Sequence, residues 1–207
     1  FMAYPTIDAP YGLRPVNLLG GQVYAGSTRQ MAIGSGHATA IFFGDVVSMS
    51  ASGTVWGTAA ISTDAPVQIA GVFMGCSYVN TLGQRVYSQY FPAGTTGTVD
   101  GTNAIQAFIA DDPDLVMKVA VVSGTTVISG QTRAGMVGGT VPLVNNIGST
   151  ITGDSKLAIL STAGTATTLP LKVIDVVPET VNASGSFTEF YVTWTAGVHM
   201  YRGAAGI

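Results

Sequence analysis

The chain has 207 residues, of which 47% are hydrophobic and 9% charged, and its formal net charge is −3. Typical soluble domains carry about 25% charged residues, and protein interfaces are depleted in charge. This composition therefore favours a subunit whose surface is covered by other proteins. A secreted β protein rich in Ser, Thr and Gly would have a similar composition. Singly scattered basic residues, one cysteine and short apolar runs exclude a nucleic-acid site, an intramolecular disulfide and a membrane span.

The start of the chain is predicted to be extended, because proline recurs there every five residues and fixes an open backbone. Residues 1–20 are therefore interpreted as an N-terminal arm, which carries the apolar side chains of Tyr4, Tyr11 and Leu13. Such side chains cost free energy when left in water, so the arm should lie on its own domain or on a neighbouring protein. The three prolines are Pro5, Pro10 and Pro15.

The rest of the chain, residues 21–207, is predicted to be a β domain. Short runs of Val, Ile, Thr, Tyr and Phe alternate with Gly, Ser, Asn and Asp at roughly the 8–12-residue spacing of sandwiches and barrels, and helical periodicity is lacking. We expect an all-β fold, an antiparallel sandwich or barrel with the extended arm. The predicted strands are 28–33, 40–43, 46–50, 70–78, 84–91, 104–110, 115–122, 141–145, 156–160, 171–177, 187–194 and 198–202.

Two connections bear on how this β domain is organised. The Gly44-Asp45 pair between strands 40–43 and 46–50 has the length of a tight hairpin, and glycine at its first position suits a type II′ turn. The stretch near 122–131 is rich in Gly, Ser and Thr. It either divides two β lobes or forms a hairpin loop within one domain.

Strand 84–91 is amphipathic on both faces. Since side chains alternate along a strand, Val86 and Tyr90 fall on one face, and Tyr87 falls with Arg85 on the other. Either the second face meets a partner, or the segment is an edge strand beneath a loop.

The sequence offers little chemistry. His37 and His199 are far apart without neighbouring carboxylates, which gives no support to a catalytic dyad or a zinc site. Cys76 lies in an apolar run, where a buried, unreactive thiol is expected. No carboxylate pair of the kind a glycosidase needs stands out. We therefore predict no enzymatic activity and no cofactor.

Asp111, Asp112 and Asp114 form the one acidic cluster of the chain. Three carboxylates on a turn could hold Ca²⁺ through oxygen ligands, although the spacing is not that of an EF-hand loop. The alternative, which we favour, is a type I turn with Pro113 at its second position and aspartate side chains capping it between two strands.

Six segments, taken in chain order, carry a resemblance to a known family: residues 11–16, 44–47, 71–78, 88–93, 110–114 and 197–201. They resemble structural proteins of marine tailed bacteriophages, in particular their capsid cement or decoration proteins. The resemblance implies a virion protein on the outer capsid surface that binds the major capsid protein, often as a homotrimer, with β-rich domains and extended arms.

Aromatic and arginine side chains dominate the energetics of protein interfaces, so those on the arm and on strand 84–91 are the predicted shell contacts. An alternative is a carbohydrate-binding or adhesion module, in which Tyr87 and Tyr191 would act as stacking platforms. The predicted contact residues are Tyr4, Tyr11, Arg14, Arg85, Tyr87 and Tyr90.

Overall fold

A computed structural model describes residues 10–57, 68–124, 130–181 and 188–202. These ranges contain thirteen β-strands in two sheets and one short 3₁₀ helix, Pro178–Thr180, which confirms the all-β prediction. In this part of the chain no helix is long and apolar enough to cross a membrane. The strands are β1 (Arg14–Leu18), β2 (Arg29–Ala32), β3 (Val46–Met49), β4 (Val55–Gly57), β5 (Ile69–Val79), β6 (Arg85–Ser88), β7 (Gln106–Ala110), β8 (Leu115–Val122), β9 (Thr140–Val141), β10 (Leu143–Val144), β11 (Ala158–Leu160), β12 (Leu171–Val176) and β13 (Glu189–Trp194).

The first sheet has the strand order β2-β7-β5-β3-β4, and all its pairings are antiparallel. Strand β5 is long enough to pair with β3 along its first half and with β6 along its second half on the same side. A bridge between Ile33 and Val55 joins the two ends of the sheet, so the sheet curls toward closure. Its interior is filled by fully buried side chains such as Phe73, Phe91 and Ile109.

The second sheet has the order β10-β11-β8-β13-β12-β9, with β1 paired to β8 beside β11. Its two terminal strands, β9 and β10, are separated by Pro142 alone. One bent segment therefore contributes to both ends of the sheet, and the sheet curves into a nearly closed, barrel-like shape. Proline suits such a break because it cannot donate to a strand ladder. The barrel interior includes Met117, Phe190 and Val192.

The two sheets share hydrophobic packing. Strand β5 presents Ala70 and Phe73 to the first core, whereas Ile69 and Val72 belong to the core of the second sheet. Burying a large aliphatic side chain contributes roughly 1.5–3 kcal/mol, so this shared packing holds the sheets together strongly. The chain passes from the first sheet to the second through residues 111–114, before β8, and the division near 122–131 stays a prediction.

The described part of the predicted arm is integrated into this fold. Leu13 is fully buried, and β1 pairs antiparallel with β8. Gly12 has a φ of +80°, and a Cβ placed there would lie 2.7 Å from the carbonyl oxygen of Gly44, so only glycine fits. From residue 12 onward the segment therefore lies on its own domain. Residues 1–9 of the predicted arm lie outside the described residues.

The predicted hairpin through Gly44-Asp45 is wrong. Residues 40–43 form no ladder with β3, which pairs instead with β4 and β5. Ile41 bridges to Phe91, and Phe43 bridges to the distant segment that precedes β11. Non-local pairing has overridden the local turn signal, since the segment serves to link the two halves of the molecule. Residues 198–202, also predicted as a strand, form turns apart from a single bridge between His199 and Ile69.

Candidate interaction surface

Part of the first sheet turns a polar and aromatic face to solvent. Strand β6 places Arg85 and Tyr87 on this side, and the register sets Tyr87 opposite Ser77 of β5. The next strands continue the row, because Ser77 is also opposite Gln106 of β7, and Phe108 is opposite Gln30 of β2. We call this set the outer face. Its residues are Gln30, Ser77, Arg85, Tyr87, Gln106 and Phe108, and they line a shallow depression of about 330 Å³.

The two most prominent side chains of the outer face are held in place. Tyr87 is 72% exposed, yet its ring stacks on Phe108 with 6.4 Å between centroids and 11° between planes. The Arg85 guanidinium donates hydrogen bonds to Ser77 Oγ at 3.2 Å and to the carbonyl oxygen of Thr102 at 2.6 Å. Both groups are thus presented to solvent with little conformational freedom left to lose on binding.

Gly75 shapes this face from within β5. Its φ is +134°, and it lies where the pairing of β5 with β7 shifts register. A Cβ there would lie 3.1 Å from the carbonyl oxygen of Ser88 and 3.9 Å from the Phe108 ring. Glycine is therefore required by the backbone conformation, and it leaves space beside the aromatic pair.

Strand β6 pairs only with β5 among the described residues and lies at the sheet edge. It is shorter than predicted, because the strand ends at Ser88. Beyond this point the chain turns inward: Phe91 is fully buried, and the half-buried Tyr90 stacks on Phe42 at 5.7 Å. Tyr90 is thus separated from the outer face that carries Tyr87.

The predicted contacts Tyr11 and Arg14 are engaged within the chain. The Tyr11 hydroxyl donates to the carboxylate of Glu189, which also pairs with Lys118 at 3.1 Å. The pKa of Tyr11 is raised far above its usual range, mainly by burial and secondly by this hydrogen bond. Arg14 pairs with Asp154 at 2.7 Å, and its guanidinium lies over the Phe43 ring. Tyr4, the remaining predicted contact, lies outside the described residues.

Most of the basic side chains form ion pairs with carboxylates of the same chain. Five of the eight basic residues form ion pairs with carboxylates of the described segments. Only Arg85, Lys156 and Lys172 are without such a pair there. The surface that remains is therefore poorer in free charge than the composition suggests. The pairs are Arg14–Asp154, Arg29–Asp111, Lys118–Glu189, Arg133–Asp175 and Arg202–Asp114.

The acidic cluster is a turn between β7 and β8. The Leu115 N–H donates to the Asp112 carbonyl at 3.2 Å, and the Asp112 carboxylate accepts the Asp114 N–H at 2.8 Å. Asp111 faces Arg29 and the Tyr201 hydroxyl. The capped turn is the better interpretation, and the segments the structure describes contain no group of three acidic, His or Cys side chains able to hold a metal ion.

The other candidate reactive groups lie apart, with Cys76 and His199 buried and His37 half-buried. Cys76 is fully buried, and burial raises the pKa of its thiol to about 12, so it is protonated at neutral pH. The His37 ring packs on Phe91 in the first sheet, and His199 packs on Trp194 at the second. Burial lowers the pKa of both histidines.

Some exposed apolar residues escaped the sequence interpretation. Leu82, at the tip of the β5–β6 hairpin, is 80% exposed. Ile147 and Ile151, in the loop between β10 and β11, are 90% and 95% exposed. Isolated exposed apolar side chains are common, and these two lie within five residues of one loop. No sequence signal separates them from core isoleucines.

Comparison with known proteins yields no relative: no protein family, no curated sequence and no solved structure matches the chain. The surface of the described residues combines an ordered aromatic and polar face, an edge strand and exposed apolar side chains in loops.

Proposed function

We propose that the chain is a non-enzymatic virion protein that binds the outer surface of a capsid and stabilises it as a cement or decoration subunit. The observation that carries this proposal is the outer face, where an exposed tyrosine and an arginine are both held by neighbours on a sheet edge. The proposed partner is the major capsid protein, and the proposed assembly is a homotrimer.

Both the residue types of the outer face and the conformational order of their side chains favour binding. Tyrosine and arginine supply most of the binding energy in protein interfaces, and side chains that are already ordered lose less entropy when they bind. Tyr87 is braced by Phe108, and Arg85 by Ser77 and Thr102. The scarcity of unpaired charge lowers the desolvation cost of covering the rest of the surface.

The mechanism proposed is passive. Each bound subunit would bury surface across the joint between neighbouring shell subunits, so that removing one shell subunit also breaks contacts to the decoration protein. A ligand that binds the assembled state and not the separated state stabilises assembly by mass action. The exposed Leu82, Ile147 and Ile151 side chains are additional points at which shell subunits could be contacted.

A protein inventory tests the proposal most directly. Particles purified from the virus that encodes the chain are analysed by mass spectrometry, and the chain should be present in high copy beside the major capsid protein. Its absence from such particles would refute the assignment. Analytical ultracentrifugation of the isolated protein tests the proposed trimer separately. A monomer at all concentrations would refute the homotrimer.

A matched pair of variants then locates the contact. Tyr87→Ala removes the 72% exposed ring of the outer face, whereas Val23→Ala shortens a 77% exposed side chain in the loop after β1. Shells are mixed with each variant and sedimented. We expect Tyr87→Ala to lose roughly tenfold or more in affinity, since an anchoring tyrosine contributes about 2 kcal/mol, and Val23→Ala to bind like the wild type. Equal binding of both variants would exclude the outer face.

A carbohydrate-binding module is the second candidate. The Tyr87–Phe108 pair is flanked by the amides Gln30 and Gln106, and such a mixture of rings and amide groups suits sugar rings that present one apolar side and several hydroxyls. Tyr191 does not extend this platform, because it is half-buried in β13 of the other sheet. Saturable binding of neutral glycans that Tyr87→Ala abolishes, without binding to shells, would favour this function.

A further inference from the structure

The second sheet carries a cavity that the proposed function does not use. It lies beside β12 and β13, near the turn before β8, and has a volume of about 510 Å³. This is within the range of roughly 300–1,000 Å³ of small-molecule sites. Its lining is mainly apolar and includes Leu19, Val137, Val173, Ile174 and Trp194.

Three buried polar atoms in the lining residues have no hydrogen-bond partner. They are Trp194 Nε1, Thr195 Oγ1 and His199 Nε2, and across the described ranges no other buried side-chain nitrogen or oxygen lacks a partner. All three residues line the cavity, and each is more than nine-tenths buried. Buried polar groups are almost always hydrogen-bonded, so these three atoms at one cavity are available to a polar ligand.

The polar lining is suited to donate hydrogen bonds. An indole N–H is a donor only, and a threonine hydroxyl can donate. His199 Nδ1 accepts the backbone N–H of Tyr201 at 3.3 Å, so in the neutral ring the proton is on Nε2. Burial lowers the pKa of His199, although the charges of Asp111 and Asp112 oppose the shift, and the lowered pKa favours that neutral ring.

Charged side chains of both signs lie at or near the cavity. Lys172 and Arg202 line it and both are exposed, and none of the lining residues that the structure describes carries a carboxylate. Asp111 and Asp112, in the turn before β8, act electrostatically on His199. Arg202 is already paired with Asp114 at 2.8 Å. Lys172 is therefore the cation left for a ligand. Donors and a free cation around an apolar cavity are complementary to a negatively charged acceptor attached to an apolar group.

We propose that this cavity binds an apolar carboxylate. The carboxylate accepts hydrogen bonds from the buried donors and faces Lys172, and its apolar portion packs against Val137, Val173 and Ile174. A short aliphatic acid and the carboxy-terminus of a peptide with an apolar last residue share this chemistry.

Tryptophan fluorescence provides a direct test. The chain has two tryptophans, Trp56 and Trp194, so Trp56→Phe leaves Trp194 as the reporter at the cavity. This variant is titrated with hexanoate, hexanol and hexylamine, which share one apolar chain. We expect saturable quenching or shifting by hexanoate with roughly tenfold higher affinity than by hexanol, because charge-assisted hydrogen bonds are the stronger ones, and the weakest binding by hexylamine. Equal affinity for the three probes, or no saturation with hexanoate, would overturn the proposal.

A second pair of variants tests the cation. Lys172→Met removes the charge that lines the cavity, and Lys156→Met removes another unpaired lysine that does not line it. Both are made in the Trp56→Phe background and checked for an unchanged urea midpoint. Hexanoate affinity should fall about fivefold in Lys172→Met only. Equal loss in both variants, or in neither, would contradict the assignment.

The source of the carboxylate is distinguished by two peptides. Acetyl-Ala-Leu-Ile with a free carboxy-terminus and its amide are titrated alongside hexanoate. Tighter binding of the free acid than of hexanoate identifies a peptide terminus as the better ligand, and the reverse order identifies a small aliphatic acid. Equal binding of the peptide acid and its amide, together with equal binding of hexanoate and hexanol, would refute recognition of a carboxylate.

Discussion

The outer face around β6 can be compared with the segment from Tyr11 to Arg14 and its partners Glu189, Lys118 and Asp154, which we call the junction. Both regions are built from tyrosine and arginine, but with opposite results. At the outer face, Arg85 and Tyr87 are braced from below and open to solvent. At the junction, Tyr11 and Arg14 meet Glu189 and Asp154 of distant strands and loops. Aromatic and arginine side chains are thus available for a partner only where the fold supplies no carboxylate opposite them. The comparison predicts stability effects at the junction and binding effects at the outer face.

The largest stability loss is expected from Leu13→Ala at the junction. Leu13 is fully buried in the core of the second sheet, and truncating such a side chain costs about 2–5 kcal/mol because a cavity remains. Urea unfolding followed by fluorescence measures this loss. An unfolding free energy within about 0.5 kcal/mol of wild type would show that the segment does not contribute to the fold, since surface changes have effects of that size.

Lys118→Met should have the next largest effect. It removes the ion-pair partner of Glu189, whose side chain is 6% exposed, while Tyr11 still donates to the same carboxylate. Leaving a buried acceptor under-satisfied costs about 1–3 kcal/mol. Lys172→Met, at an exposed lysine without an ion pair among the described residues, serves as the control in the same urea experiment. Equal effects of the two substitutions would contradict a special role for the junction.

The pH-dependent contribution of Asp45 to folding stability should be smaller than the effects of Leu13→Ala and Lys118→Met. Burial raises the pKa of Asp45, although hydrogen bonds from Ser155 and from the backbone N–H of Phe42 oppose the shift. A carboxyl group with a raised folded pKa favours folding below its ordinary pKa of about 3.9, and this contribution is lost as the pH rises through the folded value. The stability of the wild type relative to Asp45→Asn should therefore fall as the pH rises through this interval. A relative stability that rises instead would show the sign to be wrong.

The smallest stability effect is expected from Tyr87→Ala. The side chain is mostly exposed and contacts Phe108, so its loss should change the unfolding free energy by no more than about 0.5 kcal/mol. The same variant is expected to lose shell binding. Thermal unfolding measured beside the sedimentation assay separates the two effects. A large stability loss would place Tyr87 with the junction residues and would remove the contrast between the two regions.

Local sequence predicted the fold where strands are long and apolar. The prediction of 115–122 matches β8, because a run of apolar residues, broken only by Lys118, fits a strand that is largely covered on both faces. Strand β1 was missed because proline suggested an arm, whereas Pro15 lies next to a register shift that tolerates it. The false hairpin at Gly44-Asp45 shows the reverse error, since turn chemistry was present but the pairing was non-local.

Only part of the candidate surface could be predicted from the sequence, because non-local strand pairing brings the rest of it together. Arg85 and Tyr87 stand out in the sequence of their own strand. Gln30, Gln106 and Phe108 join them through cross-strand register, which no local pattern encodes. Tyr11 and Arg14 were recognised as interacting residues, but their partners, Glu189 and Asp154, are 178 and 140 positions away. The sequence thus indicates which side chains make contacts more readily than it indicates with what.

The break at Pro142 has a consequence for how copies of this chain can join. Because β9 and β10 are two residues long and are joined through Pro142, the two ends of the second sheet offer little backbone to which another chain could add a strand. The edge at β6 lies on the first sheet and is one strand of four residues. Strand addition at β6 would therefore form only a short ladder, because the strand has four residues.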